Sequence, residues 1–338
     1  MGKWFEEAGL EEDVVVSTRI RVARNLKDYK FPQMMNIEES EKVTQEVLNA
    51  MKSLAHNGNY KFIRISNLEP LDRRIFIEEH LISPGLIQRP DQSSFLLRED
   101  ENITIMINEE DHLRIQVLLS GLNFEEGWNL CNEIDDFLED TLNFAFHEEF
   151  GYLTSCPTNV GTGLRASAMV HVPSLVITGY INSLVQGLNK IGLAVRGIHG
   201  EGTKAIGNLY QISNQATLGE EEEEIIEKLK NVIYQIINKE RDVRNNLIGS
   251  RKKEIEDKVF RSLGILKYSR LMTSREAMAH LSNVRLGKEM GIINDIDYNK
   301  ITKLMVQIQP ASIQKGIDKE LTKGERDARR ASLIRELI

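Results

Sequence analysis

Only two cysteines, Cys131 and Cys156, occur in the 338 residues. One pair builds neither a disulfide framework nor a cysteine-rich metal site, and it suits a reducing compartment. No apolar run approaches the roughly 20 residues that span a bilayer. The first ten residues, MGKWFEEAGL, carry no targeting pattern. A soluble cytoplasmic protein without membrane contact is the expectation. An excess of positive charge is also missing: 43 Lys and Arg face 51 Asp and Glu, a net charge of −8. Such a surface does not favour bulk binding to nucleic acid. Neither a G-x-x-x-x-G-K-[ST] phosphate loop nor the HRD and DFG triplets are present.

What is there belongs to a folded chain: 41% apolar and 28% charged residues, at a length that predicts two domains. Residues 14–26 alternate β-branched residues with arginines and read as a strand. Helical spacing follows over 37–54, closed by a turn at 57–59. Short β-like runs at 62–65, 95–97, 103–107 and 115–119 predict a hairpin-rich antiparallel sheet. Residues 124–146 read as a long amphipathic helix, with further strands at 168–172, 193–196 and 209–213. A second long helix is predicted over 220–246, and the acids Glu221 to Glu224 suit its positive N-terminal end. Beyond 246 helical patterns dominate, with amphipathic stretches at 255–266, 275–286 and 298–308. The boundary is placed near 248–251, giving domains 1–248 and 249–338.

Two familiar patterns fail on context. GTGLRA (161–166) fits a loose G-x-G-x-x-A, but a loop precedes it where a dinucleotide site needs a buried strand. HEEFG (147–151) opens like a zinc-protease helix and lacks the second histidine. More informative is the spacing of Arg19 and Arg21, two apart on a strand and therefore on one face. Two such forks make a shelf suited to bidentate phosphate binding; exposed strand arginines are the plain alternative.

The segments STRIRVARN (17–25), NEEDHLRI (108–115), CPTNVGTGLRAS (156–167) and RGIHGEGT (196–203), in this order, resemble the catalytic domain of the phosphagen (guanidino) kinases over about 14–246. The chain departs from that family by lacking its N-terminal helical domain and by carrying an extra helical C-terminal one. Its tail, RDARRA (326–331), fits a motif of the branch that phosphorylates arginine in proteins. The resemblance implies an α+β fold of the glutamine-synthetase-like kind, an antiparallel sheet flanked by helices, followed by an all-α domain. It implies ATP and Mg²⁺, the metal being held through ATP, and no protein metal site.

The implied ATP-binding blocks are Ser17, Thr18, Arg19, Ile20 and Arg21; Arg165, Ala166, Ser167, Ala168 and Met169; and Arg196, Gly197, Ile198, His199, Gly200 and Glu201. Arg114 joins them, as does His80, for which a satisfied structural histidine is the alternative. Glu110 and Glu201 match the paired carboxylates that orient the acceptor guanidinium, with Glu110 as general base. Cys156, beside the bound guanidinium and near arginines, is expected to tune the site through a lowered pKa. Arg326, Asp327, Ala328, Arg329, Arg330 and Ala331 would form an allosteric phosphoarginine pocket, with Arg326 and Arg330 clamping phosphate from one helical face.

The implied function is transfer of the γ-phosphoryl group of ATP to protein arginines. The implied context is stress-response protein quality control: marking of clients for the ClpC/ClpP protease, inactivation of the CtsR repressor, an McsA-type activator and a homodimer. The alternatives are a free-guanidine phosphagen kinase and a non-catalytic phosphoarginine-binding adaptor.

Overall fold

The computed structural model describes residues 3–52, 59–197, 205–317 and 319–338. Its centre is an antiparallel eight-stranded sheet in the order β2-β3-β4-β5-β1-β8-β10-β9. The strands are β1 (Val15–Arg24), β2 (Tyr60–Arg64), β3 (Ser94–Arg98), β4 (Ile103–Ile107), β5 (Leu113–Ser120), β8 (Leu164–His171), β9 (Leu193–Gly197) and β10 (Leu209–Asn214). A separate hairpin, β6 (Phe146–His147) with β7 (Gly151–Tyr152), stands outside it.

Strand alternation decides the faces. Ile20 and Val22 of β1, Ile115 and Val117 of β5, and Ala166 and Ala168 of β8 are buried together in the main core. Helix α3 (Phe124–Glu139) covers this face at β1 and β5, while α6 (Glu222–Tyr268) covers it at β8 and β10. The opposite face carries Arg19, Arg21, Arg114, Gln116 and Arg165, since side chains two apart share a face. Three more helices flank the sheet: α1 (Ile37–Met51), α4 (Pro173–Ile177) and α5 (Tyr180–Lys190). Helix α2 (Pro70–Glu78) sits at the sheet's end, its Phe76 and Ile77 packed against a third apolar cluster that contains Leu81 and Phe95.

The helix expected to run to 146 stops at Glu139. Its continuation pairs instead with the end of β1: the Lys27 N–H donates to Asn143 O and the Ala145 N–H to Asn25 O. Tertiary pairing outweighs helical spacing there. In the other direction, α6 runs 22 residues past its expected end at 246 to Tyr268, interrupted only at Arg251, whose φ of −134° and ψ of 27° break the helical path. Then come α7 (Ser274–Glu289), α8 (Tyr298–Gln307) and α9 (Lys323–Leu337). Their buried residues, among them Met278, Leu281, Leu304 and Ile334, form a second core that also takes in Val16, Leu118 and Leu209 from the sheet. The C-terminal helices thus dock against one end of the sheet's polar face. Among the described residues, no helix is long and apolar enough to cross a membrane.

Candidate active site

Register places the polar face residue by residue. Arg21 stands opposite Gln116 on one side and Arg165 on the other, and Arg19 stands opposite Leu118 and Ser167. Gln211 of β10 stands between Met169 and Arg196. Ser17, Arg19, Arg21, Gln116, Ser167, Met169, Arg196, Gly197 and Gln211 line one cavity of about 680 Å³, and His80 is also in its wall. Arg19, Arg21, Arg196 and Gln211 continue into a second cavity of about 310 Å³ that adds Arg114, Arg165, Glu110 and Cys156. The two make one groove.

Within the expected blocks, Ile20, Ala166 and Ala168 have their side chains in the core on the opposite face. Thr18 is turned the same way and donates its hydroxyl to Gly121 O at 2.7 Å. A contiguous run cannot line a pocket from a strand, so these four build the sheet and leave the lining to their neighbours. Ile198, His199, Gly200 and Glu201 lie outside the described residues.

The groove is strongly positive. Arg19 is pushed down to about 10 by burial and by the charges of Arg114 and Arg165. Arg21 is shifted well below the usual arginine range by burial, then by Arg19, Arg114 and Arg165. Arg165 is also lowered, by burial and then by Arg196 and Arg114. Among the described residues, none of Arg19, Arg21, Arg165 and Arg196 has a carboxylate within ion-pair distance, and Arg21 Nε is buried without a hydrogen-bond partner. Guanidiniums crowded this way fit an anion with several oxygens.

The turn between β4 and β5 supplies the carboxylates. Asn108 opens it at φ 58°, and the Asn108 N–H donates to His112 O. Asp111 is buried and accepts from Asn25 Nδ2 and from the Ser155 N–H, both at 2.7 Å. His112 is a structural residue: its Nδ1 accepts from the Leu26 N–H, its Nε2 donates to Lys30 O, and burial pushes it down to about 4. Glu109 points inward, 2.6 Å from Arg114 Nη1, and accepts from Ser83 Oγ at 2.7 Å. Its carboxylate is packed so closely that a Cβ on Gly85 would sit 2.2 Å from Oε1. Glu110 instead borders the groove, 3.4 Å from Arg114 Nη2. Burial raises its pKa, as do Asp111 and Glu109, against Arg114 and Arg165.

Cys156 borders the same cavity with its Sγ 3.0 Å from Thr158 Oγ1, at the start of the turn Pro157–Asn159. The glycine motif after it serves backbone packing. Gly161 has φ 109°, and a Cβ there would lie 2.0 Å from Thr217 O. Buried Arg24 ties this loop to the sheet by donating to Thr162 O and to Asp135. Cys131 is buried, and desolvation raises its thiol. His80 adopts φ 61°, its carbonyl accepting from Gln116 Nε2 at 2.9 Å. Gln116 and Gln211 went unnoticed in the sequence, and Glu109 was seen there only as part of an acidic turn; strand alternation from Arg114 points to Gln116, while Gln211 is found only through its pairing with Arg196.

The C-terminal motif lies on α9. Arg330 is buried and spends its donors internally, on Ile308 O at 2.7 Å, Met272 O at 2.8 Å and Asp327 Oδ1 at 2.6 Å. Arg326 donates to Leu321 O, Arg329 to Lys315 O, and Ala331 is in the second core. Asp327 and Arg330 are thus paired on one side of α9, with Arg326 a turn before Arg330 and Ala328 between them.

Residues 42–243 match the family described as ATP:guanido phosphotransferase, C-terminal catalytic domain, and residues 252–338 match the protein-arginine kinase McsB C-terminal domain. A protein-arginine kinase of Desulforamulus reducens is 49% identical, covering 99% of this chain and 95% of that protein. One from Pelotomaculum thermopropionicum is 48% identical over 98% of this chain and 94% of its own length. Among solved structures, lombricine kinase aligns with a TM-score of 0.60 at 26% identity, over 71% of this chain and 69% of its own. The duplicated taurocyamine kinase of Schistosoma mansoni aligns with a TM-score of 0.63 at 23% identity, over 73% of this chain and 36% of its own.

Proposed function

Because this chain belongs to the protein-arginine kinases within the ATP:guanido phosphotransferase family, we propose that its groove grips ATP with the arginine cluster and presents a protein-borne arginine at Glu110. The observation that carries this reading is the cluster of Arg19, Arg21, Arg165 and Arg196 on one face with no paired carboxylate among the described residues. Phosphoryl transfer asks little covalent help of a protein; it needs alignment and charge cancellation. With no phosphate-loop lysine, guanidinium forks supply the cancellation.

The acceptor nitrogen attacks the γ-phosphorus. A P–N bond forms, the bond to the β,γ-bridging oxygen breaks, and ADP leaves with that electron pair. The nitrogen must shed a proton, and a free guanidinium titrates above about 12, so a nearby base is required. Glu110 is our candidate: it borders the groove, and burial and its acidic neighbours Asp111 and Glu109 raise its pKa. Glu109 acts at one remove, holding Arg114 in place. Glu201, on the strength of its motif, is the second carboxylate orienting the guanidinium plane. Cys156 borders this acceptor end and tunes it without a covalent role.

Mg²⁺, when bound, neutralises charge on the transferring phosphates. The resemblance implies that the nucleotide's own phosphate oxygens would be its ligands.

The division into a catalytic domain (1–248) and a helical domain (249–338) is supported by the backbone break at Arg251. A homodimer through the helical domain is supported by Phe260, Ile265, Tyr268 and Leu271, large apolar residues exposed at the end of α6 and just beyond it. A cytoplasmic location, client marking for ClpC/ClpP, action on CtsR and an McsA-type activator rest on the sequence resemblance alone.

The test is incubation with ATP and either a basic protein or free arginine. Acid-labile phosphate on protein arginine, formed faster than phosphoarginine from the free amino acid, is expected. The reverse order would make this a free-guanidine kinase, and no transfer at all would leave a binding adaptor.

A further inference from the structure

The groove has a second half that the phosphate reading does not use. Past Arg19 and Arg21 it widens into the 680 Å³ cavity, whose wall changes from guanidinium to mixed apolar and amide groups: Ile82, Leu118, Met169 and Gln116 from the sheet side. Its far wall comes from the C-terminal helices, with Ser274, Arg275 and Met278 of α7 and Gln309 and Pro310 after α8. That wall is built in. Glu78 at the end of α2 accepts from the N–H groups of Ala311 and Ser312 at 2.7 Å, and from Ser312 Oγ at 2.8 Å. On the other side, Ser282 and Glu289 of α7 hold His171 at the end of β8, at 2.8 and 2.7 Å. His171 is two residues beyond Met169, itself in the cavity wall.

We propose that the C-terminal helical domain completes the nucleoside half of the ATP site, with Ser274, Arg275, Met278 and Gln309 closing over the base and ribose. This rests on the reading that the arginine cluster holds the phosphates. A nucleotide gripped there by its tail has a flat, amphipathic remainder, and the adjoining cavity offers what such a group needs: apolar surface with a few polar donors and acceptors. Occupancy of the catalytic groove is thereby felt directly by the helical domain, since one ligand touches both.

Two ligands separate the halves of the site: ADP, which fills both, and inorganic tripolyphosphate, which needs only the arginine cluster. Ser274→Trp adds bulk at the wall while leaving the Thr273 cap of α7 in place, and Arg275→Ala removes an exposed side chain. Calorimetry on the full chain is expected to show ADP binding weakened about tenfold or more by Ser274→Trp, with tripolyphosphate binding unchanged within about twofold. In turnover, Arg275→Ala is expected to raise KM for ATP more than it lowers kcat, the signature of lost ground-state binding. Wild-type ADP affinity in both variants overturns the proposal, as does an equal loss of ADP and tripolyphosphate. A wild-type chain that binds neither ligand overturns the phosphate reading beneath it. Tripolyphosphate binding that survives Arg19→Ala and Arg21→Ala does the same.

Discussion

Glu109 and Glu110 are neighbours in one turn, yet their surroundings divide them. Glu109 is closed in beneath Ser83 and Gly85 and paired with Arg114, so it is committed to structure. Glu110 keeps an edge on the groove and a raised pKa. Loss of a general base usually costs about 10²- to 10⁴-fold, and Glu110→Ala should fall in that range for kcat. Cys156→Ser should lose less, since the thiol only borders the acceptor end. Comparable losses in the two variants would contradict this division. The base must be ionised to act, so kcat/KM should rise as pH climbs through the raised pKa of Glu110. An acid limb at or below the ordinary glutamate value of 4.5 would argue against the assignment.

Among the elements, β1 and α9 show how the same residue type is used in opposite ways. On β1, period-two alternation sends Arg19 and Arg21 to the groove and leaves their donors for a ligand. On α9, Arg330 faces inward and its guanidinium closes three contacts, tying the helix to the carbonyls of Met272 and Ile308 and pairing with Asp327 one turn back on the same helix. Removing a buried donor typically costs about 1–3 kcal/mol for each acceptor left unsatisfied. Arg330→Ala should lower the urea midpoint accordingly, and Arg330→Lys should rescue little, a single ammonium being unable to reproduce the fork. Unchanged stability in Arg330→Ala would contradict this structural role of its guanidinium. Arg24, equally buried on the core side of β1, anchors the loop that carries Cys156.

Across the whole molecule, a buried ionic network stitches the catalytic layer to the C-terminal helices. Glu240 of α6 accepts from the N–H groups of Ser174 and Leu175 at the start of α4, and burial together with Glu289 raises it to about 7. Glu289 in turn pairs with His171, Arg244 and Arg285. A carboxyl raised in the fold prefers its proton there. Its ionisation leaves stability untouched below the unfolded value of 4.5, erodes it as pH rises to about 7, and costs it in full above that. Glu240→Gln keeps one acceptor oxygen and removes the titration. The Tm difference between this variant and wild type should therefore move in the variant's favour from pH 5 to pH 8, and a constant difference would refute the shift.

Much of the site could be read before any coordinates. Strand period alone put Arg19 and Arg21 on one face, because strand geometry is a local property, and four motifs in order carried the family resemblance that implied the chemistry. Boundaries were less legible: the helix predicted to 146 ends at Glu139, where pairing with β1 competes successfully for the backbone.

The amino-acid order alone settled which residue types were available and which of them shared a strand face. Which carboxylate stays open, which arginine is spent on carbonyls, and which helices wall the groove were decided by packing. Those outcomes depend on groups from distant parts of the chain being desolvated together, and no local pattern records that.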